Sequence, residues 1–443
     1  MANPLYAKRS DGLNGVITVP GDKSISHRAL ILGALSTGST NIRGLLEAED
    51  IIKTVKALTA LGVAPKKIGD TWHITGVGTS GLMQPEPAVL DFGNSGTGVR
   101  LMLGVLAGHN ITVKCVGDKS LSRRPIGRVI SPLKRMGLNV HDLRDTLPLR
   151  VTGTSDLIPI EYNLPVPSAQ VKSAVLLAGI QARGTTSVIE KEATRDHTEL
   201  MLQHFGVKVY KNYEGGKIRI SVDGHTEMSG RDVLVPGDPS AAAFLAAAAV
   251  ITPGSDILLL NILYNSSRIG FYLCLQEMGA DVVAQNHRVI GGEVVVDLRV
   301  RGSKLQGIVV PQERAPSMID EYPILAVVAA FAAGKTVMEG LHELKFKESD
   351  RLSATAAGLI ANGIDAIIED TTLTVIGAPS VLGGGIVMTN LDHRIAMAFL
   401  VLGQGTIEPV TIDDGDIIAT SFPGFCSMVQ NIGGNVEPIR NLN

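Results

Sequence analysis

One pattern recurs along the whole chain: an apolar helical stretch, a glycine, then a short alternating strand. The junctions are Leu61-Gly62-Val63, Met136-Gly137-Leu138, Phe205-Gly206-Val207, Met278-Gly279-Ala280, Asn362-Gly363-Ile364 and Ile432-Gly433-Gly434, spaced roughly 70 to 85 residues apart. That period is too long for the common solenoids. Each glycine has the role of the left-handed residue that ends a helix before the chain re-enters a sheet. Upstream of the helices lie strand-prone segments opened by a turn, such as Gly38 to Ile42, Gly184 to Val188 and Gly334 to Val337. Each unit therefore reads as strand, polar loop, helix, glycine, strands, and six such units describe an α/β protein from end to end.

The six fall into two sets of three. Val19-Pro20-Gly21-Asp22-Lys23-Ser24 is echoed by Val235-Pro236-Gly237-Asp238-Pro239-Ser240, and an Ala-rich helical stretch follows each. Ser24 and Ser240 are candidate N-caps. The echo marks two crossings between domains, which predicts one domain over 22–237 and another over 1–21 and 238–443. Two domains also suit 443 residues, too many for one core. A double crossing makes a hinge, so the active site is expected in the inter-domain cleft.

Composition narrows the function. Forty basic residues face 43 acidic ones, for a net charge of −3, and aromatics make up 4%. That balance excludes a general attraction to nucleic acid or an anionic membrane, and so few rings make no stacking surface. Cys115, Cys274 and Cys426 lie far apart without ligand-like spacing, which argues against disulfides and zinc; Cys115, in an apolar strand pattern, reads as core. The segment Met1 to Ser10 has no apolar core of a signal peptide, and the longest apolar run, Ala241 to Ile251, is about half a membrane span. A reduced, cytoplasmic protein is expected.

Against that balance, the loops feeding the helices are rich in cations. Lys23, Ser24 and Arg28 follow the first crossing, and Asn94 to Arg100 form a Gly-rich turn. Lys119, Arg123, Arg124 and Arg128 cluster before the next helix, Arg195 precedes another, and Lys345, Lys347 and Arg351 another still. Asp392-His393-Arg394 opens the helix of Ile395 to Leu402. Helix N-termini favour anions, and Arg forks at several of them make a multi-point site for carboxylates and phosphates. Taken singly, each motif has a plainer account: a capping turn at Lys23, a surface turn at Arg124-Pro125, a solvated helix start at Lys347 to Arg351, a packing role for His393. Their placement in equivalent loops is what points to a site. Asp320, Glu321 and Glu348 are the acids placed for proton transfer near those cations.

Six motifs, in order, resemble the 5-enolpyruvylshikimate-3-phosphate synthases: Gly21 to Arg28, Gly93 to Thr97, Arg124-Pro125, Ser168 to Ser173, Lys347 to Arg351, and Asp392 to Met397. The wording of Ala315 to Pro323 and Thr420 to Pro423 is similar to the divergent second bacterial branch. The resemblance implies two domains of three α/β units each, helices inside and sheets outside, in the inside-out barrel of enolpyruvyl transferases. It implies a reaction of shikimate 3-phosphate with phosphoenolpyruvate through a tetrahedral ketal, needing no cofactor or metal, in a monomer whose only partners are small molecules. By the same resemblance, Lys23, Ser24, Arg28, Ser168, Ala169, Gln170, Arg195, Asp320 and Lys347 meet shikimate 3-phosphate. Lys23, Gly96, Arg124, Gln170, Arg351 and Arg394 hold phosphoenolpyruvate. Asp320 takes the 5-hydroxyl proton, and Glu348 with Lys23 manages protonation of the methylene carbon.

The chain departs from the family at two points. Arg100 is followed by Leu101 where a proline is usual, and Ala419, Thr420 and Ser421 occupy a stretch where a lysine is common. Gly96 keeps a turn without a side chain, through which the inhibitor glyphosate is expected to enter. The rival is the sister enzyme acting on UDP-N-acetylglucosamine, which carries a reactive cysteine before an Arg-Pro; Lys119 to Arg123 contain none. A non-catalytic relative that kept the anion site is the other alternative, and loss of Lys23, Asp320, Glu348 or Arg394 would be its mark.

Overall fold

The computed structural model describes residues 3–439, and the six junction glycines show why the repeat holds. Gly62, Gly137, Gly206, Gly279, Gly363 and Gly433 all take positive φ, between +77° and +120°. A side chain there would be strained, so the helix ends and the strand starts at a fixed point in each repeat.

Backbone contacts divide the chain into two compact units. One comprises Gly21–Val235 together with Val289–Glu293; the other comprises the chain up to Pro20, Pro236–Arg288 and the chain from Val294 on. They are called here the first-half and second-half units.

In the first-half unit the helices are α1 (Lys23–Leu35), α2 (Glu49–Ala60), α3 (Gly96–Ala107), α4 (Gly127–Met136), α5 (Ala169–Gly179) and α6 (His197–His204). Three four-stranded sheets accompany them. All share one plan: an outer strand runs parallel to its neighbour, and the next two pair antiparallel, as in Glu161–Asn163, Thr185–Glu190, Lys217–Asp223 and Val209–Glu214. The outer strand of the first sheet is Val233–Leu234, which pairs with Ile42 and Arg43, so the end of the unit closes on its beginning. At this closure a Cβ on Gly21 would lie 2.0 Å from the Gly44 carbonyl oxygen, so only glycine fits.

The second-half unit repeats the plan with α7 (Pro239–Ile251), α8 (Gly270–Glu277), α9 (Tyr322–Ala330), α10 (Arg351–Ala361), α11 (His393–Leu402) and α12 (Phe425–Asn431). Here the N-terminal segment is built in. Asn14–Thr18 lies parallel to Asp256–Leu263, and Leu5–Lys8 lies between Val410–Ile412 and Asn435–Pro438, antiparallel to both. Every residue of α7, α9 and α11 is buried, whereas α8 and α10 expose side chains such as Leu273 and Ile360. Alanine dominates α7 because packing on all sides leaves little room, and larger side chains would overpack it at about 1–3 kcal/mol each.

The caps differ from expectation. Asp22 and Asp238, not Ser24 and Ser240, cap α1 and α7, accepting from Ile25 N at 2.7 Å and Ser240 N at 2.8 Å. An Asp side chain one residue before the helix reaches the free amides first, which leaves the serines in the first turn with other work. Cys115 is fully buried, and burial pushes its thiol up to about 12. Among the described residues, no helix is long and apolar enough to cross a membrane.

Candidate active site

The residues expected to touch substrate form one cluster in each unit. In the first-half unit, the Asp22 cap sets the start of α1 and so places Lys23, whose Nζ lies 2.9 Å from Asp50 Oδ2 in the first turn of α2. Arg28, one turn further on, is 4% exposed. Its Nη1 donates to the Ser24 carbonyl at 2.9 Å, its Nε to Thr198 Oγ1 at 2.7 Å and its Nη2 to Ser173 Oγ at 2.8 Å. Burial brings the Arg28 guanidinium down to about 10, against the pull of Glu199 and Asp22.

The Gly-rich turn enters α3 with Ser95 as its cap. Arg100 braces this turn: its Nη1 donates to the Gly96 carbonyl at 3.2 Å and to Gln170 Oε1 at 3.0 Å, and its Nη2 to the Pro125 carbonyl at 3.1 Å. Arg124 donates to Asn94 Oδ1 and, at 3.2 Å, to Ser120 Oγ; the arginine is buried, not on a surface turn. Gln170 closes the ring by donating from Nε2 to Thr97 Oγ1 at 2.9 Å. Ser168 caps α5 and Ala169 begins it, while half-buried Arg195 stands just before α6. Gly96, Arg100, Arg124, Ser168 and Gln170 are thus drawn together from three separate segments.

The second-half cluster is built on carboxylates. Asp320 lies just before α9, and its Oδ1 accepts from Lys347 Nζ at 3.0 Å and from Arg351 Nη1 at 3.1 Å. Arg351 also donates from Nη2 to Glu348 Oε2 at 2.6 Å and from Nε to Asp392 Oδ2 at 2.8 Å. It begins α10 at 1% exposure, so the plain account of a solvated helix start does not hold for it. Burial works against its charge, but Asp392, Glu348 and Asp320 together hold it well above the usual range. Burial likewise works against Asp392, which Arg351 nonetheless keeps below the ordinary carboxylate value. Asp392 caps α11 through the Arg394 amide at 2.9 Å and accepts from Ser349 Oγ at 3.1 Å. Arg394 donates from Nη1 to the Asp320 carbonyl at 3.2 Å and to Glu321 Oε1 at 3.4 Å, and Ser240 donates to that same oxygen. His393 packs, buried, with its Nδ1 3.4 Å from Thr420 Oγ1.

The two clusters differ in charge. Asp320, Glu321, Glu348 and Asp392 outnumber Lys347, Arg351 and Arg394, whereas Lys23, Arg28, Arg100, Arg124 and Arg195 dominate the other group. The cationic group suits anion binding, and the carboxylate group joins anion binding to proton transfer. Sequence reasoning overlooked Asp50, Thr198, Arg100 as a brace and Asp392 as the hub of the second cluster. Asp392 had a signal in the quoted Asp-His-Arg motif, and Arg100 had one in its place at the end of the Gly-rich turn; Asp50 and Thr198 had none.

Residues 7–429 match the family model for EPSP synthase (3-phosphoshikimate 1-carboxyvinyltransferase). The chain is 53% identical over 442 residues to a 3-phosphoshikimate 1-carboxyvinyltransferase of Chelativorans sp. (strain BNC1), covering 98% of each chain. It is 52% identical over 438 residues to the enzyme of that name from Pseudomonas sp. (strain PG2982), covering 98% of this chain and 97% of the relative. Among solved structures it is similar to an EPSP synthase from Acinetobacter baumannii, with a TM-score of 0.88, 40% identity and coverage of 99% of this chain and 100% of the other. An enolpyruvyl transferase from Streptomyces tendae, 17% identical, shares the fold with a TM-score of 0.77 over 99% of both chains.

Proposed function

The chain belongs to the EPSP synthase family, and from that premise we propose that its two side-chain clusters serve a single reaction. It is a transferase of the shikimate pathway, moving the enolpyruvyl group of phosphoenolpyruvate to the 5-hydroxyl of shikimate 3-phosphate with release of phosphate.

The residue roles in this proposal are those that the family resemblance implies. Ser168, Ala169, Gln170 and Arg195 take the 3-phosphate, with Ser24, Arg28 and Lys347 also on this substrate. Lys23, Gly96, Arg124, Gln170, Arg351 and Arg394 take phosphoenolpyruvate. Asp320 accepts the 5-hydroxyl proton as that oxygen bonds to C2 of phosphoenolpyruvate, and C3 gains a proton from Lys23 or Glu348, which gives the ketal. Loss of a C3 proton, with cleavage of the C2–O bond to phosphate, then forms the product. Arg and Lys stabilise the charge that moves onto the departing phosphate. A cytoplasmic monomer completes the proposal, and sedimentation of the purified chain tests the oligomeric state.

The observation that supports these roles best is the meeting of Asp320, Lys347, Glu348 and Arg351 through contacts of 2.6 to 3.1 Å. The test is phosphate release from phosphoenolpyruvate with shikimate 3-phosphate, run beside UDP-N-acetylglucosamine. Release with the first acceptor alone is expected. Release with the sugar nucleotide alone would overturn the acceptor, and release with neither would return the chain to the class of non-catalytic anion binders.

A further inference from the structure

Behind the cations assigned to shikimate 3-phosphate lies an enclosed polar layer whose lysine has no role in the scheme above. Lys172, two residues beyond Gln170 on α5, has no exposed surface. A buried ammonium is costly unless paired. Its Nζ lies 2.7 Å from Glu199 Oε1 and 3.3 Å from Glu190, and it donates to the Thr194 carbonyl at 3.4 Å. Thr194 Oγ1 in turn donates to Glu190 Oε2 at 2.8 Å.

These contacts join particular places. Glu190 ends the strand Thr185–Glu190, Glu199 lies in the first turn of α6, and Thr194 directly precedes Arg195. One ammonium therefore ties the helix that presents Ser168 to Gln170 to the loop that presents Arg195. Arg28 shares the layer through Ser173 and Thr198, whose hydroxyls are bonded at 2.6 Å. Lys172 faces two carboxylates, Glu190 and Glu199, and Arg28 feels the charges of Glu199, Asp22 and Glu293. Burial raises the Glu199 carboxyl above its ordinary value, and Lys172 opposes that shift. A buried ion pair seldom stabilises more than an apolar residue of equal volume would. What Lys172 adds over a methionine is direction: fixed bonds to the strand end, to α6 and to the backbone beside Arg195.

We propose that Lys172 is a positioning residue for the shikimate 3-phosphate site, setting the Arg195 loop against the start of α5 without touching substrate. The proposal rests on the assignment of Ser168, Gln170 and Arg195 to that phosphate, so its test must separate the two.

Steady-state kinetics of the full chain do so, with Lys172→Met, the charge-matched pair Lys172→Met with Glu199→Gln, and Arg195→Ala as a check on the assignment. Should the single Lys172 variant not fold, the charge-matched pair decides. In that pair the KM for shikimate 3-phosphate is expected to rise about tenfold, with the KM for phosphoenolpyruvate within about twofold of wild type. Both KM values unchanged, or both changed alike, would overturn the proposal, as would a charge-matched pair that fails to fold, since Lys172 is then structural only. If Arg195→Ala raises the KM for shikimate 3-phosphate and the pair does not, positioning fails alone. If Arg195→Ala leaves that KM unchanged, the assignment fails and the proposal with it.

Discussion

Lys23 on α1 is held by Asp50 on α2, 2.9 Å from ammonium to carboxylate, with both side chains largely shielded from solvent. The lysine assigned to proton management is thus aimed by an acid from a neighbouring helix. Asp50→Asn keeps the shape and removes the charge. It is expected to lower kcat about tenfold, since a misaimed group loses orientation rather than binding, while breaking this shielded pair costs roughly 1–3 kcal/mol of stability. A loss of stability without a change in kcat would separate Asp50 from the chemistry.

Asp320→Asn removes the base but retains an acceptor for Lys347 and Arg351. A general base contributes roughly 10² to 10⁴ in rate, and a fall of that order in kcat is expected with the KM values little changed. Stopped-flow or steady-state assays of phosphate release measure it directly. Wild-type turnover in this variant would move the base elsewhere.

A Cβ at Gly96 would stand 2.8 Å from Arg100 Nη1 and 3.1 Å from Arg124 Nη1. Gly96→Ala therefore fits only if both guanidiniums retreat, which their flexible ends allow. The KM for phosphoenolpyruvate is expected to rise roughly threefold to tenfold, the cost of a charged hydrogen bond weakened rather than lost. Glyphosate inhibition should weaken by more. Unchanged inhibition would show that the inhibitor does not approach this turn.

His27 is fully buried, with Nδ1 2.9 Å from Thr54 Oγ1 and Nε2 3.4 Å from Ser95 Oγ. Burial first, then the charges of Lys23 and Arg28, hold its pKa well below 6.5. The unfolded chain therefore binds a proton at a higher pH than the folded one. The stability linked to neutral His27 is whole above pH 6.5 and is lost as the pH falls from there toward the depressed folded value, by up to about 1.4 kcal/mol per pH unit. Melting temperatures between pH 7.5 and pH 5 should fall less steeply for His27→Asn than for wild type, and parallel slopes would refute the linkage.

Asn390 and Leu391 take φ of +52° and +60°, and Leu391 is 54% exposed. A leucine in the left-handed region costs about 1 kcal/mol or more, and here it buries little in return. Leu391→Gly should raise stability by roughly 0.5–1 kcal/mol in urea unfolding. Destabilisation would mean that the leucine makes a contact worth more than the strain.

The repeat was legible in the sequence because its mark is a backbone requirement: at all six junctions the left-handed residue is glycine. The outer strands were not, since pairs such as Val233–Leu234 and Ile386–Val387 are two residues long and leave no period to detect. Within the site, side chains at helix starts were visible because loops expose them to the pattern. Lys172 was not, because its partner Glu190 is 18 residues away and no local spacing tells a paired buried lysine from a solvated one. Arg100 was marked by the absence of a following proline, and the brace it makes depends on the Gln170 side-chain oxygen, 70 positions away.

The seat of Leu5–Lys8 between Val410–Ile412 and Asn435–Pro438 sets an order on synthesis. This strand leaves the ribosome about 400 residues ahead of both its neighbours. At about 5–20 residues per second, it spends tens of seconds without its neighbours. Gly21–Val235 needs almost nothing from later in the chain and can close first, while the second-half unit waits for its final turn. A nascent chain stalled before Asn435 would carry a finished unit and an orphaned first strand, the form in which quality control would meet it.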